Sequence, residues 1–121
     1  AACESLNIFE DENIIEKNRD KAKLIKKLVI DRAKDIPFVG DIRQIGMITA
    51  IELVKDKNTK ESFSWKERVG YGIYRIALNK GLLLRPIGNV LYFMPPYVIE
   101  KIDIEYMVDK CFESINEYFG L

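Results

Sequence analysis

The segment LLLRPIGNVLYFMPP, residues 82–96, decides how the rest of the chain is interpreted. Two apolar runs flank the turn-forming sequence PIGN, and this pattern predicts two short β-strands. Proline and glycine allow several turn geometries here, so the sequence leaves open whether the strands pair as a hairpin. The double proline at residues 95–96 stops the second strand and sets a rigid exit.

Arg85 lies between these apolar runs, among neighbours that are expected to be buried. A guanidinium does not lose its proton in proteins, so burying it without a partner is costly. The partner is either a ligand carboxylate, bound by both ends of the planar guanidinium, or an acidic side chain of the protein itself. Tyr92 follows across the turn and is placed to contact the same ligand, although such a tyrosine is more often a core residue. The residues alone leave both alternatives open.

Helical patterns flank this segment on both sides. A helix is predicted from Ser64, a capping residue with Glu67 three positions later, to a glycine at Gly81. Trp65 at its start is interpreted as a core or staple residue. Asp103 is predicted to cap a final helix whose apolar stripe recurs every three or four residues. The stripe consists of Ile104, Val108, Cys111, Phe112, Ile115 and Phe119.

The first half of the chain predicts two helices and an extended segment. Helical patterns run over residues 2–10 and 10–34, and the second should end before Pro37. Residues 39–54 are rich in β-branched side chains and predict one long or broken strand, or a strand pair, in which Gly46 marks a bulge or a close backbone approach. Arg43 and Glu52 are expected on its solvent face. The order of elements predicts an α+β fold, with helices packed on a small, mostly antiparallel sheet.

Composition narrows the function classes. The 121 residues are 48% hydrophobic and 31% charged, which is typical of a globular protein, and basic and acidic residues balance at 19 each. Neither nucleic acid nor a membrane surface is therefore an expected partner. Histidine is absent and the two cysteines have no metal-binding spacing, which excludes a Ser-His-Asp triad and argues against zinc within the chain. The lack of a signal peptide or long apolar run favours a cytoplasmic location.

Three segments together resemble the carboxy-terminal part of the class III, fold-type I pyridoxal-phosphate aminotransferases. They are FVGDIRQIGMITAIELVKDKNTKESF, WKERVGYGIYRIALNKGLLLRPIGNVLYFMPP and the final helix, so the resemblance covers essentially the whole chain. The family pattern G-L/V-x-x-R-P-x-G-x-x-x-Y-x-x-P-P is present as Gly81, Arg85, Pro86, Gly88, Tyr92, Pro95 and Pro96. The resemblance implies that residues 1–35 lead from a large domain and that residues 36–121 form the small carboxy-terminal domain. The opening AACESLNIFEDENIIEKN, which has no capping residue, then belongs to a longer protein.

The resemblance also implies roles for individual residues. Arg85 corresponds to the arginine that binds the substrate carboxylate. Tyr92 corresponds to a tyrosine that lines the same substrate site in the biotin-pathway branch of the family. In that branch the amino donor is S-adenosylmethionine and the acceptor is 8-amino-7-oxononanoate, and the full-length proteins are homodimers. Relatives acting on ornithine, 4-aminobutyrate or lysine are an alternative, as is a stand-alone ligand-binding or interaction module of α+β fold.

The family's cofactor, pyridoxal 5'-phosphate, is not assigned to any residue of this chain. The Schiff-base lysine, the aspartate that pairs with the pyridine nitrogen and the phosphate-binding residues all precede this region in the family. No lysine of the chain lies in the apolar, pocket-like context that such a role requires. The 121 residues alone are therefore expected to be inactive and to bind the cofactor poorly.

Overall fold

The computed structural model describes all residues, 1–121. Four α-helices and four β-strands make up the fold, with one short 3-10 helix. In chain order the elements are α1 (Ala2–Asp11), α2 (Ile14–Ala33), β1 (Val39–Ile45), β2 (Ile48–Leu53), the 3-10 helix (Trp65–Glu67), α3 (Val69–Asn79), β3 (Arg85–Ile87), β4 (Val90–Phe93) and α4 (Lys101–Phe119). None of the helices is both long enough and apolar enough to cross a membrane.

The four strands form one antiparallel sheet in the order β1-β2-β4-β3. One face is covered, because α2 packs on β1 and β2, α3 packs on β3, and α4 packs on α2 and α3. Along β2 and β4 the buried side chains alternate with more exposed ones, as expected for a sheet with a single covered face. The core on the covered face includes Ile25, Val29, Ile51, Leu53, Ile73, Leu91, Ile104, Val108 and Ile115. The predicted α+β class, with helices on a small antiparallel sheet, is confirmed.

The segment predicted as one long or broken strand, or as a strand pair, is a hairpin. β1 and β2 pair in antiparallel register up to Ile45 and Ile48, so only Gly46 and Met47 form the turn. Gly46 adopts a positive φ of 54°, a backbone conformation that glycine reaches without steric cost. Its predicted role as a bulge or a close approach was wrong, since an added Cβ atom there would meet nothing. The irregularity in the register lies instead between Val39 and Asp41.

The helix predicted from Ser64 is divided in two. Ser64 and Glu67 form the predicted capping box, but they cap only the short 3-10 helix. Arg68 then takes a left-handed conformation with φ of 50°, and α3 begins at the next residue. The interpretation of Trp65 as a core or staple residue was wrong, because this side chain is 79% exposed. The change of direction at Arg68 separates the capping turn from the buried face of α3.

The start of the last helix also differs from the prediction. α4 begins at Lys101 with Glu100 in the N-cap position, and no side chain caps it. Asp103 lies within the first turn, where a carboxylate is favourable beside the helix dipole without being the cap. The predicted apolar stripe is buried from Ile104 to Ile115, and Phe119 is half-buried against the core.

Candidate carboxylate-binding site

The hairpin formed by β3 and β4 carries the two residues singled out from the sequence. The strands pair, which the sequence had left open, and Arg85 lies directly opposite Tyr92 in the antiparallel register. Both side chains therefore project from the same face of the sheet, the face that no helix covers. Gly88 turns the chain between the strands with a positive φ of 57°.

Three contacts hold the turn of this hairpin in place. The Asn89 side-chain amide donates a hydrogen bond to the carbonyl oxygen of Phe63 at 2.8 Å. The carbonyl oxygen of Asn89 accepts a hydrogen bond from the backbone N–H of Leu53, also at 2.8 Å. At the start of α3, Gly70 packs against the carbonyl oxygen of Gly88 so closely that a Cβ atom would overlap it. The strand that carries Arg85 is thus positioned by both β2 and α3.

A row of four side chains crosses the open face of the sheet. The strand registers place Arg43 opposite Ala50, Ala50 opposite Tyr92, and Tyr92 opposite Arg85. The row therefore has an arginine at each end, with alanine and tyrosine between them. Its two cationic ends differ in how their charge is compensated.

Arg43 is neutralised within the protein. Its guanidinium donates hydrogen bonds to the carboxylates of Asp41, at 2.7 Å, and Glu52. The bond from Arg43 holds the pKa of the Asp41 carboxyl below its ordinary value. The prediction that Arg43 and Glu52 lie on the outer face of the sheet is thus confirmed, and they form an ion-pair network with Asp41.

Arg85 differs from Arg43 because it has no partner. The expectation that Arg85 and its neighbours are buried was wrong in part: Leu82 and Leu84 are buried, but Arg85 is exposed, as are Leu83 and Ile87. No carboxylate or other side chain of the protein forms an ion pair or hydrogen bond with Arg85. The structure therefore does not contain the ion pair between Arg85 and an acidic side chain that the sequence left as an alternative. A free guanidinium with a tyrosine beside it is suited to binding a carboxylate at two points. Its role in binding a substrate remains a prediction.

A cavity of about 320 Å³ adjoins this pair of residues. It lies between the ends of β3 and β4 and the first turns of α4, and most of its lining residues are apolar. Arg85 and Tyr92 line it together with Leu83, Met94 and Pro96, among others. Leu83 and Met94 were not predicted as site residues, although each lies two residues from one member of the Arg85–Tyr92 pair.

The residues present do not fit pyridoxal phosphate. A lysine that forms a Schiff base needs a partly desolvated and unpaired amino group, yet the lysines that are not exposed number only three. Lys21 donates to the carbonyl oxygen of Tyr97 at 2.6 Å, Lys80 pairs with Glu117 at 2.8 Å, and Lys110 pairs with Glu113 at 2.8 Å. No step involving the cofactor can therefore be assigned to a residue of this chain.

The sequence and the fold of this chain both match a known class of protein. The family model described as "Aminotransferase class-III" matches residues 1–115, and the chain belongs to this family. This match supports the resemblance noted in the sequence over a stand-alone regulatory module. That the chain corresponds to the carboxy-terminal part of such an enzyme stays a prediction.

Among the relatives, the adenosylmethionine-8-amino-7-oxononanoate aminotransferase of Methanocaldococcus jannaschii is 43% identical over 97% of this chain and 25% of its own length. The crystal structure of that enzyme matches with a TM-score of 0.86 over 93% of this chain and 25% of the solved chain. The crystal structure of the "PMP-bound form" of an aminotransferase from Vibrio fluvialis is 27% identical in sequence, with a TM-score of 0.91 over 98% of this chain and 26% of the solved chain. The chain thus spans about a quarter of the length of the relatives it matches.

Proposed function

We propose that this chain is part of a pyridoxal-phosphate-dependent aminotransferase of biotin biosynthesis. The full-length parent would transfer the amino group of S-adenosylmethionine to 8-amino-7-oxononanoate and produce 7,8-diaminononanoate. Two findings support this proposal: the membership of the chain in class III and its 43% identity to a relative that carries this activity in its name. The observation in the structure that carries it is the unpaired Arg85 beside Tyr92 on the open face of the sheet.

In this proposal Arg85 binds the carboxylate of the substrate. Both the donor and the acceptor carry a carboxylate, and a guanidinium fork binds such a group with defined geometry as well as charge. Fixing the carboxylate determines which carbon of the substrate faces the cofactor, and positioning of this kind contributes to rate as directly as acid or base chemistry. Arg43, at the other end of the same row, is not proposed for this role because Asp41 and Glu52 already neutralise it.

Tyr92 has a supporting role in the same proposal. It is half-buried between Ala50 and Arg85, so its ring has a fixed environment while its hydroxyl is available on the open face. A phenolic hydroxyl donates or accepts one hydrogen bond at a defined position. We expect it to contact the ligand whose carboxylate Arg85 binds.

The cofactor would be bound by parts of the parent outside these 121 residues. When bound it supplies the electron sink for amino transfer, whereas this chain binds and orients the substrate. The isolated chain is consequently expected to have no aminotransferase activity and little affinity for pyridoxal phosphate. We further propose that the full-length parent is a cytoplasmic homodimer, as the resemblance to its family implies.

The full-length parent, purified with pyridoxal phosphate, allows a direct test. We expect a visible absorption band from the bound cofactor, and we expect S-adenosylmethionine to convert it to the spectrum of the amino form. Addition of 8-amino-7-oxononanoate should then restore the original band. Conversion by ornithine, 4-aminobutyrate or lysine but not by S-adenosylmethionine would retain the class and reassign the substrate. A parent that binds no pyridoxal phosphate would contradict the proposal.

A further inference from the structure

Two large apolar side chains lie exposed beside Arg85 and Tyr92. Leu83 is 66% exposed and Met94 is 56% exposed. The register that pairs Arg85 with Tyr92 also pairs Ile87 with Val90, and one step in the other direction would set Leu83 opposite Met94. Leu83 and Met94 lie just outside the paired strands, each two residues beyond a member of the Arg85–Tyr92 pair.

These two residues and Arg85 line the same cavity. Its other apolar lining includes Pro95, Pro96 and Ile99, one acidic residue, Asp103, lines it from the first turn of α4, and its volume is about 320 Å³. Ligand sites typically combine such apolar walls with a few polar groups that fix orientation. An unpaired guanidinium at the edge of a mostly apolar cavity matches the chemistry of a carboxylate attached to an aliphatic chain, in which the head is anionic and the stem apolar.

We propose that Leu83 and Met94 bind the methylene chain of the carboxylate held by Arg85 and thereby determine the chain-length preference of the site. The inference rests on the proposed function only in taking Arg85 to bind a ligand carboxylate. The methylene chain is placed on the Leu83 and Met94 side of Arg85, because these two residues line the cavity and Ile87 does not. Leu83 and Met94 act here as specificity residues and take no part in the chemical step.

The size of the effect follows from the apolar surface that the ligand buries. Burial of one methylene group tightens binding about fourfold. Affinity should therefore rise with each methylene of a straight-chain carboxylate until the chain fills the cavity. Truncation of either wall should remove part of this gain for long ligands, whereas a short carboxylate that contacts only Arg85 should bind as before.

The test uses the full-length parent, purified in the presence of pyridoxal phosphate, and straight-chain monocarboxylates from butanoate to nonanoate as probes. Isothermal titration calorimetry gives the dissociation constant of each acid for the wild type and for Leu83→Ala and Met94→Ala. We expect either substitution to weaken nonanoate about tenfold and butanoate less than twofold. Ile102→Ala is the matched control, because Ile102 is 70% exposed and lies outside the cavity.

Each alternative result overturns the inference in a recognisable way. Equal weakening of butanoate and nonanoate would indicate a general distortion of the site. A loss of the chain-length dependence in Ile87→Ala but not in Leu83→Ala or Met94→Ala would place the methylene chain on the other side of Arg85. If none of the carboxylates bound, Arg85 would not form a carboxylate site at all. The proposed function can fail independently of this inference. In that case the preparation would bind carboxylates with the expected dependence on chain length but would not aminate 8-amino-7-oxononanoate.

Discussion

Arg85 and Tyr92 are directly opposed residues of two antiparallel strands, so their side chains leave the sheet side by side on its open face. Seven positions separate them along the chain, and the tight turn at Gly88 and Asn89 brings them together. The pair depends on the hairpin and on its register, since a slip by one residue would send each side chain to the opposite face. The substrate site proposed here is consequently only as rigid as this turn.

Replacement of Arg85 tests the proposed carboxylate contact. In the full-length parent, Arg85→Gln should raise the KM for 8-amino-7-oxononanoate by about 10- to 100-fold, because hydrogen bonds to a charged group are lost. Arg85→Lys should recover part of the affinity, since it retains the charge but lacks the planar fork. Steady-state kinetics measures both changes.

Arg43 provides a matched control for that experiment. It lies in the same row on the same face but is already paired with Asp41 and Glu52. Arg43→Gln should therefore leave the KM within about twofold of the wild type, as most surface substitutions away from a site do. If the two glutamine variants raised the KM equally, the effect would come from the net charge of the sheet face rather than from a specific contact.

The packing of Gly70 against the β3–β4 turn provides a test of the fold. Glycine to alanine in a helix interior ordinarily stabilises by up to about 1 kcal/mol. Here the added Cβ would overlap the carbonyl oxygen of Gly88 and lie 3.2 Å from the Cβ of Pro86. Because backbone atoms cannot rotate away, Gly70→Ala should instead destabilise by about 1–3 kcal/mol, as overpacking does. Thermal or urea unfolding of the chain measures the change.

Gly72→Ala is the comparison in the same helix. Its Cβ would meet the aromatic ring of Tyr118, a half-buried side chain, rather than backbone atoms. We expect a smaller loss of stability than for Gly70→Ala. A Gly70→Ala variant as stable as the wild type would mean that the β3–β4 turn shifts readily, and Arg85 would then not be held as rigidly as the contacts indicate.

The sequence predicted the elements around this site better than it predicted the turns that connect them. The apolar stripe of α4 and the apolar run after Asn89 both correspond to observed elements. The predicted first strand was misplaced, because β3 covers only Arg85–Ile87: residues 82–84 precede it, and the predicted turn residues Pro86 and Ile87 lie within it. The sequence left open whether residues 39–54 form one strand or a strand pair, because β-branched residues continue on both sides of Gly46, without the paired turn residues that usually mark a two-residue loop. Similarly, the capping box at Ser64 was correct, but nothing in the local sequence indicates that Arg68 takes a left-handed conformation.

The candidate site was predictable only in part, for a related reason. Arg85 could be predicted as a site residue without knowledge of the fold, because a charged residue within an apolar run is unusual. The contribution of Arg43, Asp41 and Glu52 depends on strand register, which joins residues far apart in the chain. The absence of an ion-pair partner for Arg85 could not be predicted either. The chain contains as many acidic as basic residues, and only the fold determines which of them lie close together.

The ion-pair network on the sheet face predicts a specific pH effect. The hydrogen bond from Arg43 lowers the pKa of Asp41 below its ordinary value of 3.8. A carboxyl whose pKa is lower in the folded state stabilises that state above its unfolded-state pKa, and this contribution is lost as the pH falls through the folded-state pKa. Arg43→Gln should return the pKa of Asp41 towards 3.8 and reduce the pH dependence of stability in this acidic range.

An NMR titration of the side-chain carboxyl carbons measures this pKa directly. Asp56 serves as an internal control, because its pKa is lowered by the backbone N–H groups of Thr59 and Asn58 and not by Arg43. Its titration should be the same in the wild type and in the variant. If Asp41 titrated unchanged in Arg43→Gln, the ion pair would not be populated in solution.

The two cysteines should differ sharply in reactivity, and this difference reports on the folding of the chain. Cys3 is exposed on α1, whereas Cys111 is buried in α4, and burial raises the pKa of the Cys111 thiol. Because the thiolate is the reactive species and the reagent must reach it, a disulfide reagent such as Ellman's should modify Cys3 rapidly and Cys111 only after unfolding. In Cys3→Ser the rapid phase should disappear, and the Cys111 thiol should react only after urea unfolds the chain. Rapid modification of Cys111 without denaturant would show that the 121 residues do not hold this core when separated from the rest of their parent.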